Sequence, residues 1–156
     1  MAIPELEAGY VIAERYRVER KLGEGGMGHV YLVVHLSTEE RFALKILDPQ
    51  VANTESAQER FRREARAPAR INSDHVCRVV DNDIAVELGG APFLVMEYLE
   101  GDDLEVITYH RGALPPIEVI TYLRHVARGL DKAHAIGIIH RDLKPDNVVV
   151  TMRDDG

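Results

Sequence analysis

The stretch HRDLKPDN, residues 140–147, collects a histidine, an arginine, a lysine, two aspartates and an asparagine in one short segment. Apolar residues flank it on both sides, Ile138-Ile139 before it and Val148–Val150 after it. Two short buried segments would hold such a polar loop in place, whereas a solvated turn does not need so many reactive groups. A carboxylate can accept a hydroxyl proton and a lysine can neutralise charge that develops on phosphate. Carboxylate and amide oxygens suit Mg²⁺. The stretch therefore favours a catalytic loop over a connecting turn.

A glycine-rich turn, GEGGMG, occupies residues 23–28. Glycine adopts positive φ freely and lets backbone N–H groups approach phosphate oxygens without an intervening Cβ. A dinucleotide-binding fingerprint needs a helix directly after the glycines, and a Walker A loop needs Lys followed by Ser or Thr. Residues 29–34, HVYLVV, supply neither and have the composition of a strand. We interpret the turn as a hairpin that can cover phosphates, with an ordinary flexible turn as the alternative and a dinucleotide-binding enzyme disfavoured.

Two charged residues, Lys45 and Glu64, lie in apolar surroundings. Lys45 interrupts the strand pattern FALKIL, residues 42–47, so that neither face of the strand is an obvious solvent face. Glu64 follows Phe61 by three positions on the apolar stripe of the next helix, where its carboxylate would point towards the sheet and meet Lys45. Two alternatives stay open: Lys45 as an edge-strand lysine that extends to water, and Glu64 as an exposed partner of Arg60.

Composition limits the class of protein. The 156 residues are 46% hydrophobic and 29% charged, which supports a core and excludes a disordered tail or a collagen-like repeat. The single cysteine, Cys77, cannot form an internal disulfide, which fits a reducing compartment. No apolar run reaches the ~18 residues of a membrane helix, and the first ten residues do not read as a signal peptide. The formal charge of -7 argues against a general nucleic-acid binder. We therefore expect a soluble, cytoplasmic domain.

The hydrophobic period changes near residues 100–102 and divides the chain into a β-rich part and a helical part. The helical part has a short helical pattern at residues 102–111 and a long one that Pro115-Pro116 opens and Gly137 caps. In the β-rich part, a capping-box sequence at residues 56–59 predicts the start of one helix. The same part predicts five strands, at residues 16–22, 30–36, 42–47, 76–86 and 92–99.

Taken in order, these motifs resemble the signature set of eukaryotic-type serine/threonine protein kinases. The glycine turn with Val30, the sequence Ala43-Leu44-Lys45 and the loop 140–147 occur in the family's order, and LGEGGMGHVYL and FRREAR are most similar to bacterial members. Lys144, two residues after the loop aspartate, is typical of serine/threonine rather than tyrosine kinases. The resemblance implies an α+β, protein-kinase-like fold. Its parts would be a lead-in segment in residues 1–15, a β-rich N-lobe with one main helix in residues 16–100, and a truncated helical C-lobe with the catalytic loop in residues 101–156.

The resemblance also assigns roles by position. Asp142 is implied as the catalytic base, Lys144 as a γ-phosphate contact and Asn147 as a Mg²⁺ ligand. Lys45 is implied to contact the α- and β-phosphates of ATP and to pair with Glu64. The other implied ATP-binding residues are Gly23, Gly25 and Gly28 over the phosphates, Leu22, Val30, Ala43 and Val149 around the adenine, Met96 as gatekeeper, the Glu97 carbonyl and the Leu99 amide at the adenine edge, and Asp103 near the ribose.

The two residues before Asp142 also have implied roles, and the sequence differs from the family pattern in two places. His140 is implied as a structural core histidine, and Arg141 as the receiver of an activation-loop phosphate. The sequence ends before any Asp-Phe-Gly motif, activation loop or Ala-Pro-Glu motif, so we expect the 156 residues alone to have negligible kinase activity and to expose apolar surface on the long helix. Pro68, four residues after Glu64, cannot donate a helical hydrogen bond and is expected to kink or end its helix.

The implied function is transfer of the γ-phosphoryl group of ATP to a protein serine or threonine hydroxyl, with Mg²⁺ as cofactor. The implied partners are ATP and a protein substrate; no nucleic acid and no membrane segment is expected, although an anchor beyond Gly156 is left open. The main alternative is a kinase-like module that binds nucleotide or a partner without catalysis. Retention of Lys45, Asp142 and Asn147 weighs against it, and the missing C-terminal motifs weigh for it. A small-molecule phosphotransferase of kinase-like fold is a further alternative. The sequence RDLKP, residues 141–145, resembles protein kinases more closely than such enzymes.

Overall fold

The structure is a computed structural model that describes residues 3–25 and 28–152. The chain forms two compact units: the first contains Met1–Arg70 and Arg78–Tyr98, and the second contains Ile71–Cys77 and Leu99–Gly156. The change of hydrophobic period therefore lies close to the point, after Tyr98, where the chain enters the second unit for the second time.

The first unit is built on an antiparallel sheet. Within the described ranges the sheet has six strands: β1 (Val11–Ile12), β2 (Tyr16–Gly25), β3 (Gly28–His35), β4 (Arg41–Leu47), β5 (Val79–Ala85) and β6 (Ala91–Glu97). Their order across the sheet is β1-β2-β3-β4-β6-β5. Helices α1 (Pro49–Ala52) and α2 (Glu55–Ala69) follow the fourth strand. The predicted strands are confirmed, but β5 begins later and β6 ends earlier than expected, and β1 was not predicted.

Side chains alternate between the two faces of this sheet. On the first face, Tyr31, Leu44 and Phe93 belong to one buried apolar cluster. On the second face, Leu47 and Leu94 pack with Phe61 and Ala65 of α2. Lys45 lies on this second face, because it pairs with Leu94 across β4 and β6. The helix therefore covers the side of the sheet that carries the lysine.

Residues 3–12 belong to the core of the first unit. Ile3, Leu6 and Ile12 are buried in the same cluster as Tyr31. The Leu6 N–H donates to the Tyr31 hydroxyl at 3.0 Å. The segment that the sequence assigns as a lead-in therefore also contributes side chains to the core. Apolar side chains spaced three apart, Ile3 and Leu6, were the available signal, but acidic neighbours obscured it.

The N-cap of helix α2 lies two residues before Ser56, the first residue of the predicted capping box. Thr54 is the N-cap, and its hydroxyl accepts the Ala57 N–H at 3.4 Å, so the prediction of a cap at Ser56 was wrong. The helix ends at Ala69, directly after Pro68. Proline offers no N–H to the carbonyl four residues earlier, which accounts for the end of the helix at this point and confirms the expected termination.

In the described part of the second unit, strands β7 (Gly101–Asp103) and β8 (Val149–Thr151) form an antiparallel pair, with helices α3 (Leu104–Arg111) and α4 (Pro116–Ala135) between them in the chain. Gly137 has φ 77° and donates to the His134 carbonyl at 3.0 Å, and the next N–H donates to the Ala133 carbonyl at 2.9 Å. These two bonds form a Schellman motif. The predicted cap at Gly137 is confirmed.

The apolar stripe of α4 is largely exposed. Ile117, Ile120 and Leu123 are 73%, 51% and 58% exposed, which confirms the expected apolar surface on the long helix. Its buried end packs on residues 71–77, because a Cβ on Gly129 would lie only 3.0 Å from the His75 carbonyl oxygen. Among the residues that the structure describes, no helix combines the length and hydropathy required to cross a bilayer.

The connection between α3 and α4 is held by an ion pair. The two terminal nitrogens of Arg111 lie 2.6 and 2.8 Å from the two carboxylate oxygens of Glu118. The Tyr122 hydroxyl also donates to Glu118, at 2.7 Å. The Arg111 guanidinium and then the Tyr122 hydroxyl lower the pKa of Glu118 to about 2. The carboxylate therefore stays ionised, and the pair intact, across the physiological pH range.

Candidate active site

Lys45 on β4 and Glu64 on α2 form an ion pair, with Nζ 2.7 Å from Oε2. Their side chains are 25% and 38% exposed, so water screens the pair only in part. β4 lies between β3 and β6, which excludes the edge-strand alternative for Lys45. Glu64 lies almost one helical turn after Phe61, whose ring packs on the same sheet face. The structure therefore brings together two site residues that the sequence places 19 positions apart.

Val30, Ala43 and Met96 share the sheet face with Lys45. Val30 pairs directly with Lys45, and Ala43 pairs directly with Met96. Directly paired residues of antiparallel strands project to the same side. Ala43 is buried, whereas Val30 and Met96 are half-buried and keep part of their surface free. Leu22 lies at an irregularity of β2, where the pairing with β3 shifts. This face offers apolar surface next to an ammonium group, which suits a flat ring that carries phosphates.

The glycines at the end of the β2–β3 hairpin have two different physical roles. Gly23 pairs with Val30, and Gly25 pairs with Gly28. A Cβ on Gly28 would overlap the backbone carbonyl of Ile46, so only glycine allows β3 to run this close to β4. A Cβ on Gly23 would meet no atom within 4 Å. Packing therefore does not require glycine at Gly23, because the space that a Cβ would occupy there is empty.

This difference predicts opposite behaviour for two alanine variants. Gly28→Ala is expected to lower the free energy of unfolding by about 1–3 kcal/mol, because the new methyl group forces β3 away from β4. Gly23→Ala is expected to leave stability unchanged but to weaken nucleotide binding. Urea unfolding and titration with a fluorescent ATP analogue measure the two effects. An unchanged unfolding midpoint for Gly28→Ala would contradict the prediction.

The remaining predicted nucleotide contacts are distributed over both units. Glu97 is the last residue of β6, and Leu99 belongs to the second unit. Asp103 pairs with Val149 across β7 and β8. Its Oδ1 accepts the Val106 N–H at 2.9 Å and caps α3. A ribose contact by Asp103 would therefore use its other carboxylate oxygen.

The loop 140–147 is held by side-chain to backbone bonds. The Asn147 side-chain amide donates to the Asp142 carbonyl at 2.7 Å. The Asp142 N–H donates to His140 Nδ1 at 3.2 Å. Lys144 Nζ lies 3.9 Å from Asp142 Oδ2 and 3.6 Å from Asp146 Oδ2. The Asp142 carboxylate is 74% exposed, so the loop offers a proton acceptor and a neighbouring cation to a ligand.

His140 is exposed, which corrects its expected place in the core. The imidazole instead accepts a hydrogen bond from the backbone N–H of Asp142, two residues later. Arg141, between the two, has φ 68°, a left-handed conformation that is uncommon for residues other than glycine. The His140 bond and the strained Arg141 backbone together set the direction of Asp142.

The donor set of this loop fits a divalent cation. The Asn147 amide nitrogen is used by the Asp142 carbonyl, which leaves the amide oxygen available as a ligand. Mg²⁺ commonly takes one or two protein ligands and completes its shell with phosphate oxygens and water. Across residues 3–25 and 28–152 no group of three or more His, Cys, Asp or Glu side chains is arranged for a metal. With its amide oxygen free, Asn147 can supply one protein ligand to an ion that also binds phosphate oxygens.

Comparison with known sequences gives consistent results. Residues 16–155 match the family model for the protein kinase domain. The serine/threonine-protein kinase PknL of Mycobacterium tuberculosis is 40% identical over 146 residues, covering 94% of this chain and 35% of that protein. The serine/threonine-protein kinase pkn3 of Myxococcus xanthus is 40% identical over 145 residues, covering 93% of this chain and 26% of that protein. The chain thus spans about a third or less of the length of these relatives.

Solved structures of kinase domains are similar to this chain. A crystal structure of the PknI kinase domain of Mycobacterium tuberculosis, a double mutant, has a TM-score of 0.82 at 36% identity, covering 97% of this chain and 59% of that chain. The same domain in another crystal structure has a TM-score of 0.77 at 37% identity, covering 95% of this chain and 60% of that chain.

Proposed function

The chain belongs to the protein kinase family, and from this premise we propose that it transfers the γ-phosphoryl group of ATP to serine or threonine hydroxyls of proteins. The observation that carries the proposal is the 2.7 Å ion pair between Lys45 and Glu64, on a sheet face that ends in an open glycine hairpin. An ammonium held at one place by a carboxylate is pre-organised to bind phosphate oxygens, which is the chief requirement of phosphoryl transfer.

Each unit supplies part of the machinery. In the first unit, Lys45 binds the α- and β-phosphates, the backbone at Gly23 covers them, and Val30 and Ala43 contact the adenine. In the second unit, Asp142 orients the acceptor hydroxyl and takes its proton, while Lys144 neutralises the γ-phosphate. The hydroxyl oxygen forms a bond to the γ-phosphorus as the bond to the β–γ bridging oxygen breaks, and ADP leaves.

The other nucleotide contacts and the metal are part of the same proposal. Mg²⁺, held by Asn147, would neutralise phosphate charge. ATP as the donor favours a cytoplasmic location for the domain. The remaining proposed contacts are Leu22, Gly25, Gly28, Met96, Glu97, Leu99, Asp103 and Val149.

Transfer of label from γ-³²P-ATP tests the proposed function. The protein that contains this chain is incubated with a protein acceptor, and acid hydrolysis then separates the phosphorylated amino acids. We expect phosphoserine or phosphothreonine. Label recovered only in a small molecule would indicate a small-molecule phosphotransferase, and nucleotide binding without transfer would indicate a non-catalytic module. Either result would overturn the proposal.

Removal of divalent cation is expected to abolish transfer, because phosphate charge is then neutralised by lysines alone. Excess EDTA should stop the reaction, and added Mg²⁺ should restore it. Asn147→Ala is expected to raise the Mg²⁺ concentration at half-maximal rate by about tenfold, since a ligand and a loop bond are lost together. Asp146→Asn, in the same loop, serves as the control. An unchanged Mg²⁺ requirement in Asn147→Ala would exclude Asn147 as a ligand.

A further inference from the structure

We propose that residues 3–12 position the glycine hairpin, and that Tyr31 is the positioning residue through which they act. This inference rests on the proposed function, because it concerns how the hairpin is held for ATP. The match to the protein kinase family begins at residue 16, so residues 3–12 lie outside the part of the chain that matches the family.

The segment is joined to the hairpin by a buried hydrogen bond. Leu6 N–H donates to the Tyr31 hydroxyl at 3.0 Å, and both residues are buried. Tyr31 lies on β3, three residues after Gly28, and pairs with Lys21 on β2 and Leu44 on β4. Its backbone thus lies between β2 and β4 close to the hairpin, and its side chain belongs to the buried cluster on one face of the sheet. A buried N–H without a partner is costly, so the bond fixes the segment against the sheet.

A second connection runs along the surface. Lys21 Nζ lies 2.8 Å from Glu24 Oε2 in the hairpin and 3.8 Å from Glu5 Oε1 in the N-terminal segment. The bond from Lys21 lowers the pKa of Glu24, and the charge of His29 adds to the effect. Glu24 pairs directly with His29, the residue after Gly28. Lys21 therefore joins the segment to Glu24 near the end of β2.

The position of these contacts argues for an effect on the hairpin rather than on the whole unit. Leu6 and Glu5 contact residues within a few positions of the glycines. Tyr16 provides the contrast: it is buried in the same cluster, but its hydroxyl donates to Asp81 at 2.6 Å, away from the glycines. The two tyrosines are thus similarly buried. The Tyr31 hydroxyl bonds to Leu6 inside the segment, whereas Tyr16 contacts the segment through its backbone pairing with Ile12, which replacement by phenylalanine leaves in place.

Two tyrosine variants and one glutamate variant test the proposal in the protein that contains this chain. Tyr31→Phe removes the acceptor for Leu6 and is expected to raise KM for ATP by about three- to tenfold with kcat nearly unchanged. Tyr16→Phe is expected to lower thermal stability comparably and leave KM unchanged. Glu5→Gln, a surface change that does not threaten folding, is expected to raise KM by about twofold.

Amide hydrogen exchange gives a readout that does not depend on activity. Tyr31→Phe should accelerate exchange of the hairpin amides, whereas Tyr16→Phe should not. Equal KM values and equal hairpin exchange in the two tyrosine variants would overturn the proposal. Lys45→Met distinguishes failure of the proposed kinase function from failure of the positioning role of Tyr31. Loss of transfer in Lys45→Met together with an unchanged Tyr31→Phe refutes only the positioning role, whereas full transfer by Lys45→Met refutes the proposed function itself.

Discussion

Replacement of Lys45 by methionine is expected to lower phosphoryl transfer by about three orders of magnitude, which corresponds to ~4 kcal/mol of transition-state stabilisation. Methionine keeps the length of the side chain but removes the ammonium that pairs with Glu64 on α2. The fold should persist. Glu64 keeps access to water at 38% exposure, so we expect a change in unfolding free energy of about 1 kcal/mol or less.

Initial rates with a protein acceptor, together with urea unfolding, measure the two quantities. Lys132→Met on α4 is the matched control, because it removes an exposed lysine outside the proposed site and should leave the rate unchanged. The rate of Glu64→Gln should lie between those of Lys45→Met and Lys132→Met, because Lys45 keeps its charge but loses its fixed position. A Lys45→Met rate within a few-fold of the unmodified protein would remove Lys45 from the mechanism.

Replacement of Asp142 by asparagine is expected to lower kcat by about 10²–10⁴-fold and to leave KM for ATP almost unchanged. The amide cannot accept the hydroxyl proton. The loop should keep its conformation, because the bonds from Asn147 and to His140 use the backbone of Asp142 and not its carboxylate. The effect is therefore expected in the chemical step rather than in folding or nucleotide binding.

Asp146→Asn is the control for this variant. Both carboxylates lie near Lys144, at 3.9 and 3.6 Å, so either substitution removes one negative charge from the same ammonium. Steady-state kinetics over a range of ATP concentrations separates kcat from KM. Equal losses of kcat in the two variants would show that general charge around Lys144 matters, and not the proton acceptor at Asp142.

The parts of the fold that could be predicted from the sequence are those with a clear period or a specific terminating residue. Strands β2 to β4 and helix α4 have such signals, and Gly137 caps α4 as expected. The proximity of Lys45 and Glu64 was accessible for the same reason, because strand and helix periods place both on facing surfaces. For this ion pair, the opposite charges and the strand and helix periods were sufficient to predict the contact.

Other features depend on contacts that carry no periodic signal. β7 and β8 have three residues each, too few to show alternation. Thr54 and Ser56 are both competent caps by residue type, so the residue type alone does not decide between them; in the structure Thr54 is the cap. The contact of Asp146 with Lys144 had no signal beyond its spacing of two residues. The burial of Ile3 and Leu6 likewise depends on a tyrosine 25 residues away from Leu6.

The alternation of faces along β4 also limits how this chain can change length. Insertion of one residue before Lys45 would turn its ammonium into the apolar cluster of Leu44 and Ile46 and would turn an apolar side chain towards Glu64. Substitutions in β4 alter one contact at a time, whereas a single insertion or deletion reverses the faces of all the strand residues on one side of it. Divergence by insertion is therefore compatible with the exposed turn at residues 36–40, but not with the strand that follows it.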